Sequence, residues 1–283
     1  MKIGKVPESV LKRSVLRQLK TRRDEIVLGA GLGEDCAILA PGGGEVVLFS
    51  SDPVTGTGKD IALYGIHASA NDIAAAGAEP VAVLLTLLLP PDCEERELKE
   101  LMAQAEAVCA SLHIQIAGGH TEVTDAVNRI VLTVTAIGRA KEGDTVATGT
   151  AKPGNDIVVT KWIGLEGTSI AARKKEKELL ERFPAYLVEE AKGFDKYLSV
   201  IPEAAVAGKS GVCAMTDVTE GGIFGALWEM AESSGVGLEI DLKKLPIRQE
   251  TVEICNQLDL NPYELISGGC LLIAADNGTD LIR

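Results

Sequence analysis

The chain has 283 residues, of which 46% are hydrophobic, enough for ordinary cores; at ~150 residues per domain it is expected to form two domains. A formal net charge of −13 argues against broad, sequence-independent binding to nucleic acid and against adhesion to an anionic membrane surface. An anionic small ligand would need metal ions, backbone amides or a helix end to receive it.

In chain order, residues 1 to 28 read as an arm followed by a basic amphipathic helix, "SVLKRSVLRQLKTRRDE". "GLGEDCAILA" and "GEVVLFSSDP" read as two short strands joined by the turn "PGGG". Residues 60 to 76 form an alanine-rich helix that Gly77 ends. "PVAVLLTLLL" reads as a central strand and "CEERELKELMAQAEAVCASL" as an amphipathic helix. "IQIAGG" is a strand running into a glycine pair, and "RIVLTVTAIG" is a strand with Thr133 and Thr135 on one side.

The stretch "RAKEGDTVATGTAKPGND" is a break, which places a boundary near residue 150 between domains 1–150 and 151–283. Beyond it come strand "DIVVTKW", several helices between 165 and 207, strand "GVCAMTDVT", helix "EGGIFGALWEMAESSG", strand "GLEIDL", helix "RQETVEICNQL" and strand "GCLLIAAD". Strands and helices intermix in both halves, so the fold class is α/β or α+β, layered.

Six cysteines are scattered without a CxxC, and the three histidines are spread apart; this predicts reduced thiols, a cytoplasmic protein and no zinc site. The first residues lack a signal-peptide core, and the longest apolar run, "VAVLLTLLLPP", is too short to span a membrane.

Acids fall at the ends of elements, beside small residues. Asp35 lies in "GLGEDCA", Asp52 follows "VVLFSS", Asp72 sits in "SANDIAAAGAEP", Glu122 follows "IAGGHTEV" and Asp217 follows "CAM". Such positions are where a scaffold commonly holds functional groups. Oxygen ligands of this kind suit magnesium with a nucleotide better than zinc. Each acid also has a plainer reading: Asp35 and Asp52 as turn residues, Asp72 as a solvated charge, His120 and Glu122 as loop residues. His67 and Asn71, one turn apart, read as a structural hydrogen bond. Gly221 and Gly222 in "TDVTEGGIFGAL" open a helix where free amides favour an anion, and "IGLEGTS" is a weaker case. No GxxxxGK[ST], no GxGxxG opening a βαβ unit and no Gly-x-Ser-x-Gly elbow is present.

"GLGEDCAIL", "SSDPVTG", "ANDIAAAGAEP", "AGGHTEVT" and "TDVTEGGIFGAL" occur in the order of the motifs of the aminoimidazole ribonucleotide synthetase (PurM-like) superfamily, and the chain resembles its HypE-like members. The resemblance implies an N-terminal α+β domain that pairs its sheet with a twin in a homodimer, and a C-terminal α/β domain. It also implies ATP in the cleft between domains, with Mg²⁺ held by acids of the first. By motif matching it makes Asp35, Asp52, Asp72 and Glu122 metal candidates, with Asn71, Gly118, Gly119, Gly221 and Gly222 around the nucleotide. His120 and Asp217 become candidates for catalysis. The implied activity is ATP-driven phosphorylation of an oxygen on a small-molecule acceptor, with a maturation protein as a possible partner. A kinase of the thiamine-monophosphate type and a non-catalytic nucleotide-binding scaffold are the alternatives. The chain ends "NGTDLIR", without the terminal cysteine through which HypE proteins act, so cyanide-ligand chemistry is not carried over. It also stops where relatives start another helix and strand, so the second domain reads as shortened.

Overall fold

A computed structural model describes residues 4–31, 37–56 and 58–283. The chain divides into two compact units, Met1–Ile73 with Glu79–Glu142, and Ala74–Ala78 with Gly143–Arg283. The break placed at residue 150 therefore falls inside the second unit. Residues 146–150 are fastened there: Val146 N–H donates to the Ala76 carbonyl at 3.0 Å, and Thr150 Oγ1 to the Cys213 carbonyl at 2.6 Å.

The first unit contains β1 (Gly4–Lys5), α1 (Glu8–Val10), β2 (Ile26–Leu28), β3 (Ile38–Leu39), β4 (Glu45–Val54), α2 (Ile61–Ala75), β5 (Glu79–Leu89), α3 (Glu95–Ser111), β6 (Gln115–Val123) and β7 (Val131–Lys141). α1 runs directly into a π-helical turn, Leu11–Leu16, and the helix expected through residue 25 stops there. Side chains of α3 take over the backbone beyond it. Glu106, buried, accepts hydrogen bonds at Oε1 from the amides of Lys20 and Thr21 and from Thr21 Oγ1, at 2.8, 2.5 and 2.6 Å. These bonds satisfy amides that further helix would have used. α3 begins where a capping box forms: Glu94 N–H donates to the Glu97 carboxylate at 2.8 Å.

Five strands form a sheet in the order β1-β6-β5-β7-β4, with only β5 and β6 parallel. Those two are joined through α3, as a parallel pair requires a crossover. Period-two alternation sorts the sheet into two faces. Leu85, Leu87, Leu132 and Val134 are buried on one face, under α2. A Cβ at Gly65 of α2 would lie 3.0 Å from Val54 Cγ2 and 3.2 Å from Val134 Cγ2, so glycine lets this helix sit directly on β4 and β7. The other face carries Phe49, Ser51, Thr133 and Thr135; Ser51 and Thr135 share a hydroxyl hydrogen bond at 2.8 Å, and Phe49 is 69% exposed. Beside β2, Arg23 pairs with Glu25 at 2.9 Å and Glu79 at 2.7 Å, while Arg139 reaches Glu25 at 2.7 Å. The Arg23 guanidinium, bonded to its carboxylate, lowers the Glu25 pKa to about 2.

The second unit contains β8 (Asp156–Val159), α4 (Leu165–Lys174), α5 (Glu176–Leu180), α6 (Ala185–Lys192), α7 (Ile201–Lys209), β9 (Ala214–Asp217), α8 (Gly222–Ser234), α9 (Gln249–Leu258), β10 (Leu271–Ala275) and α10 (Gly278–Ile282). Its antiparallel sheet has the order β8-β10-β9. β10 is buried along its whole length: Leu272 and Ala274 pack with Ile223 and Met230, while Leu271 and Ile273 pack with Val200 and Ala204. The expected strand "GLEIDL" does not form. Val236, Leu238 and Ile240 pack against the core by alternation, but their backbone enters no ladder. A cavity of about 730 Å³ is lined by both this segment and β8. Among the described residues, no helix is long and apolar enough to cross a membrane.

Candidate functional site

The first unit brings two predicted acids together. Asp52 lies near the end of β4 and faces the helix side, opposite Val134 in register. Asp72 sits on α2, three residues past Ser69 and one turn of the same face. Ser50 Oγ lies 2.5 Å from Asp72 Oδ2 and 3.3 Å from Asp52 Oδ2, while Ser69 Oγ lies 3.4 Å from the same Asp52 oxygen. One hydroxyl proton serves one acceptor, and the shorter contact assigns that of Ser50 to Asp72. Asp52 has only the longer contacts to Ser50 and Ser69 among the described residues, beside a second carboxylate. Two like charges at such range favour a cation between them.

The donor set is all oxygen, two carboxylates and two hydroxyls, which fits a hard ion such as Mg²⁺. Among the described residues no group of three or more His, Cys, Asp or Glu side chains is poised for a metal, so the described part of the site holds two acids. Asp35 lies outside the described residues. Asn71, next to Asp72, is buried at 1% exposure.

Glu122 is not with them. β6 runs through both His120 and Glu122, and His120 Nε2 lies 3.0 Å from Glu122 Oε2. His120 is opposite Thr86 and Glu122 opposite Leu88, on the open face of the sheet, whereas Asp52 is on the helix face, with β7 and β5 intervening. Within one chain the sheet itself separates Glu122 from Asp52 and Asp72. Gly119, one of the glycine pair, has φ +142°, and a Cβ there would lie 2.0 Å from the Leu85 carbonyl oxygen. Its glycine is required by strand packing. A Cβ at Gly118 would meet only the Leu84 Cδ2 methyl, at 3.2 Å.

In the second unit Asp217 ends β9, and Gly221 and Gly222, both at positive φ, turn the chain into α8. A Cβ at Gly222 would lie 2.5 Å from the Tyr263 carbonyl oxygen, so that glycine too is set by packing. The Phe224 amide of the first turn donates to the same carbonyl at 3.2 Å, and the Phe224 and Tyr263 rings stack at 5.1 Å. Gly221 has no such crowding: the nearest atom to its Cβ position is Gly225 Cα at 3.4 Å.

The residue that sequence reasoning missed is Glu166, in the first turn of α4. Burial raises its carboxyl pKa to about 7; the Gly268 amide, bonded to it, opposes that shift, and nearby Glu220 adds to it. A Cβ at Gly268 would lie 2.1 Å from Glu166 Oε2, so the carboxyl is pressed onto that glycine. The next residue, Gly269, gives its carbonyl to Lys161 Nζ at 2.9 Å; Lys161 also pairs with Glu203 at 2.6 Å. The available signal was an acid held between Leu165 and Gly167 at a helix start, in "IGLEGTS".

The AIR synthase related protein families match this chain, the N-terminal domain over residues 33–140 and the C-terminal domain over residues 152–281. A protein of Methanocaldococcus jannaschii named for hydrogenase expression/formation is 27% identical over 276 residues, covering 96% of this chain and 80% of that protein. A thiamine-monophosphate kinase of Methanospirillum hungatei is 31% identical over 225 residues, covering 77% of this chain and 71% of the kinase. Among solved structures, the hydrogenase maturation protein HypE in complex with ATP superposes with a TM-score of 0.79 at 20% identity, over 97% of this chain and 79% of that one. With the two domain families together spanning most of its length and the fold in agreement, the chain belongs to the AIR synthase related family, in the PurM-like superfamily.

Proposed function

We propose that this chain is an ATP- and Mg²⁺-dependent, synthetase-like enzyme that phosphorylates an oxygen of a small acceptor and so activates it. The γ-phosphoryl group passes from ATP to the acceptor oxygen and ADP leaves. A nucleophile or an elimination then expels the phosphorylated oxygen as phosphate. The observation that carries this reading is the meeting of Asp52 and Asp72 at the Ser50 hydroxyl. Such transfer depends on positioning and charge neutralisation, which suits a site of acids and small residues without a covalent nucleophile. Mg²⁺ at these carboxylates would neutralise phosphate charge when bound. Asp35 is proposed as a further ligand. Asp217 and the uncrowded Gly221 are proposed to receive acceptor or nucleotide in the second unit.

Mg-ATP should raise the melting temperature, since a ligand at a hundredfold its Kd adds about 2.7 kcal/mol to the folded state. ATP with EDTA should give little of this shift, and Asp72→Asn should lose most of it. An undiminished shift in Asp72→Asn would remove the acid pair from the site. The likeness to the thiamine-monophosphate kinase supports a second reading, in which the phosphorylated acceptor is the end product. Free phosphate with an altered acceptor supports the first reading; a stable phosphorylated acceptor supports the second.

The open sheet face, with Phe49 at 69% exposure, supports a homodimer formed through it. Phe49→Glu should convert a sedimenting dimer into a monomer at micromolar concentration. A wild type that sediments as a monomer would remove the dimer.

A further inference from the structure

The segment from Ser9 to Arg23 carries six basic residues, Lys12, Arg13, Arg17, Lys20, Arg22 and Arg23, and no acid; all 41 acidic residues of the chain lie elsewhere. Two of the six are tied internally: Arg13 bonds the Glu95 carboxylate, and Arg23 pairs with Glu25 and Glu79. The other four, Lys12, Arg17, Lys20 and Arg22, are exposed, and none forms an ion pair among the described residues.

Their backbone is anchored. Val10, Val15 and Leu19 are buried, Ser14 Oγ donates to Glu95 at 2.7 Å, and Glu106 grips the amides of Lys20 and Thr21. The Arg17 amide donates to the Lys12 carbonyl at 3.1 Å, which sets those two residues one π-turn apart. Thr21 turns inward to Glu106, leaving Lys20 and Arg22 on either side of it exposed. The π-turn brings Arg13 and Ser14 onto one carboxylate while their basic neighbours stay in water, and such turns recur at functional positions.

We propose that Lys12, Arg17, Lys20 and Arg22 form a docking surface for an acidic stretch of a partner protein. Cations on an anchored backbone, without an ion pair among the described residues, form a local field opposite in sign to the chain's net charge of −13. That contrast steers an acidic partner to one place and one orientation. A membrane is disfavoured because Val10, Val15 and Leu19 are buried and Leu11 and Leu16 half-buried, so the segment has no fully exposed apolar residue to enter lipid. Nucleic acid is disfavoured because four cations on a chain of net charge −13 cannot neutralise an extended run of phosphates.

The test uses the full chain and a fluorescein-labelled peptide rich in Asp and Glu, read by anisotropy at low salt. Wild type should bind it, with affinity falling steeply as salt rises. The fourfold variant Lys12→Glu, Arg17→Glu, Lys20→Glu, Arg22→Glu should bind at least about tenfold more weakly, as loss of steering and pairing predicts. Its thermal melt should match the wild type, and a fourfold glutamine variant should fall between them. Equal peptide binding by the charge-reversed chain would overturn the proposal. So would an absence of binding by wild type, or tighter binding of a DNA duplex or of phosphatidylserine vesicles than of the peptide.

Discussion

Glu166→Gln is expected to stabilise the second unit by about 3 kcal/mol at about pH 8 and to change it by less than about 1 kcal/mol at about pH 5. The folded carboxyl titrates at about 7, against an ordinary value of 4.5. Between those values the unfolded chain has released the proton and the folded chain still holds it. The wild type therefore has its full stability below 4.5 and loses the difference as pH rises through 7. Glutamine keeps an oxygen to accept the Gly268 amide, and it removes both the buried charge and its repulsion from Glu220. Both tryptophans, Trp162 and Trp228, lie in the second unit, so urea denaturation followed by their fluorescence reads that unit selectively. Equal stabilisation at both pH values would mean that Glu166 is not held neutral by its surroundings. A carboxyl that changes charge near neutrality is also suited to proton transfer, so the same variant is informative in the activity assay.

Gly119→Ala is expected to destabilise the first unit by roughly 3–5 kcal/mol, combining backbone strain at positive φ with overpacking in the interior of a sheet. The added methyl would overlap the Leu85 carbonyl oxygen at 2.0 Å, and neither β5 nor β6 can yield without losing ladder bonds. Gly118→Ala, one position earlier, meets only a leucine methyl and should cost less than about 1 kcal/mol. Circular dichroism melts of the two variants side by side check this; equal losses would contradict the close approach at Gly119. If Gly118→Ala keeps its stability but loses the Mg-ATP shift, Gly118 acts at the nucleotide.

Much of the element order was legible because it depends on local pattern. The one-sided threonines of "RIVLTVTAIG" and the amphipathic run "CEERELKELMAQAEAVCASL" marked β7 and α3 without reference to the rest of the chain. "GLEIDL" has the same alternation and packs by it, yet forms no strand, because pattern specifies a face and not a ladder partner. The basic helix ended early because Glu95 and Glu106, about 85 residues away in sequence, claim its polar groups. Asp52 and Asp72 could be named from their small neighbours. That Glu122 lies on the reverse of the same sheet follows only from register counted through β7, β5 and β6. Glu166 was missed because its character comes from burial against Gly268, which local sequence does not encode.

The buried thiols offer an independent clock for each unit. Cys93 and Cys109 are buried in the first unit and Cys255 and Cys270 in the second; burial raises all four pKa values, to about 11 for Cys93 and Cys255 and to about 12 for Cys270. Thiols of this kind react only when the structure around them opens. Mass spectrometry of alkylated peptides over time would then give two opening rates from one sample, one for each half of the molecule.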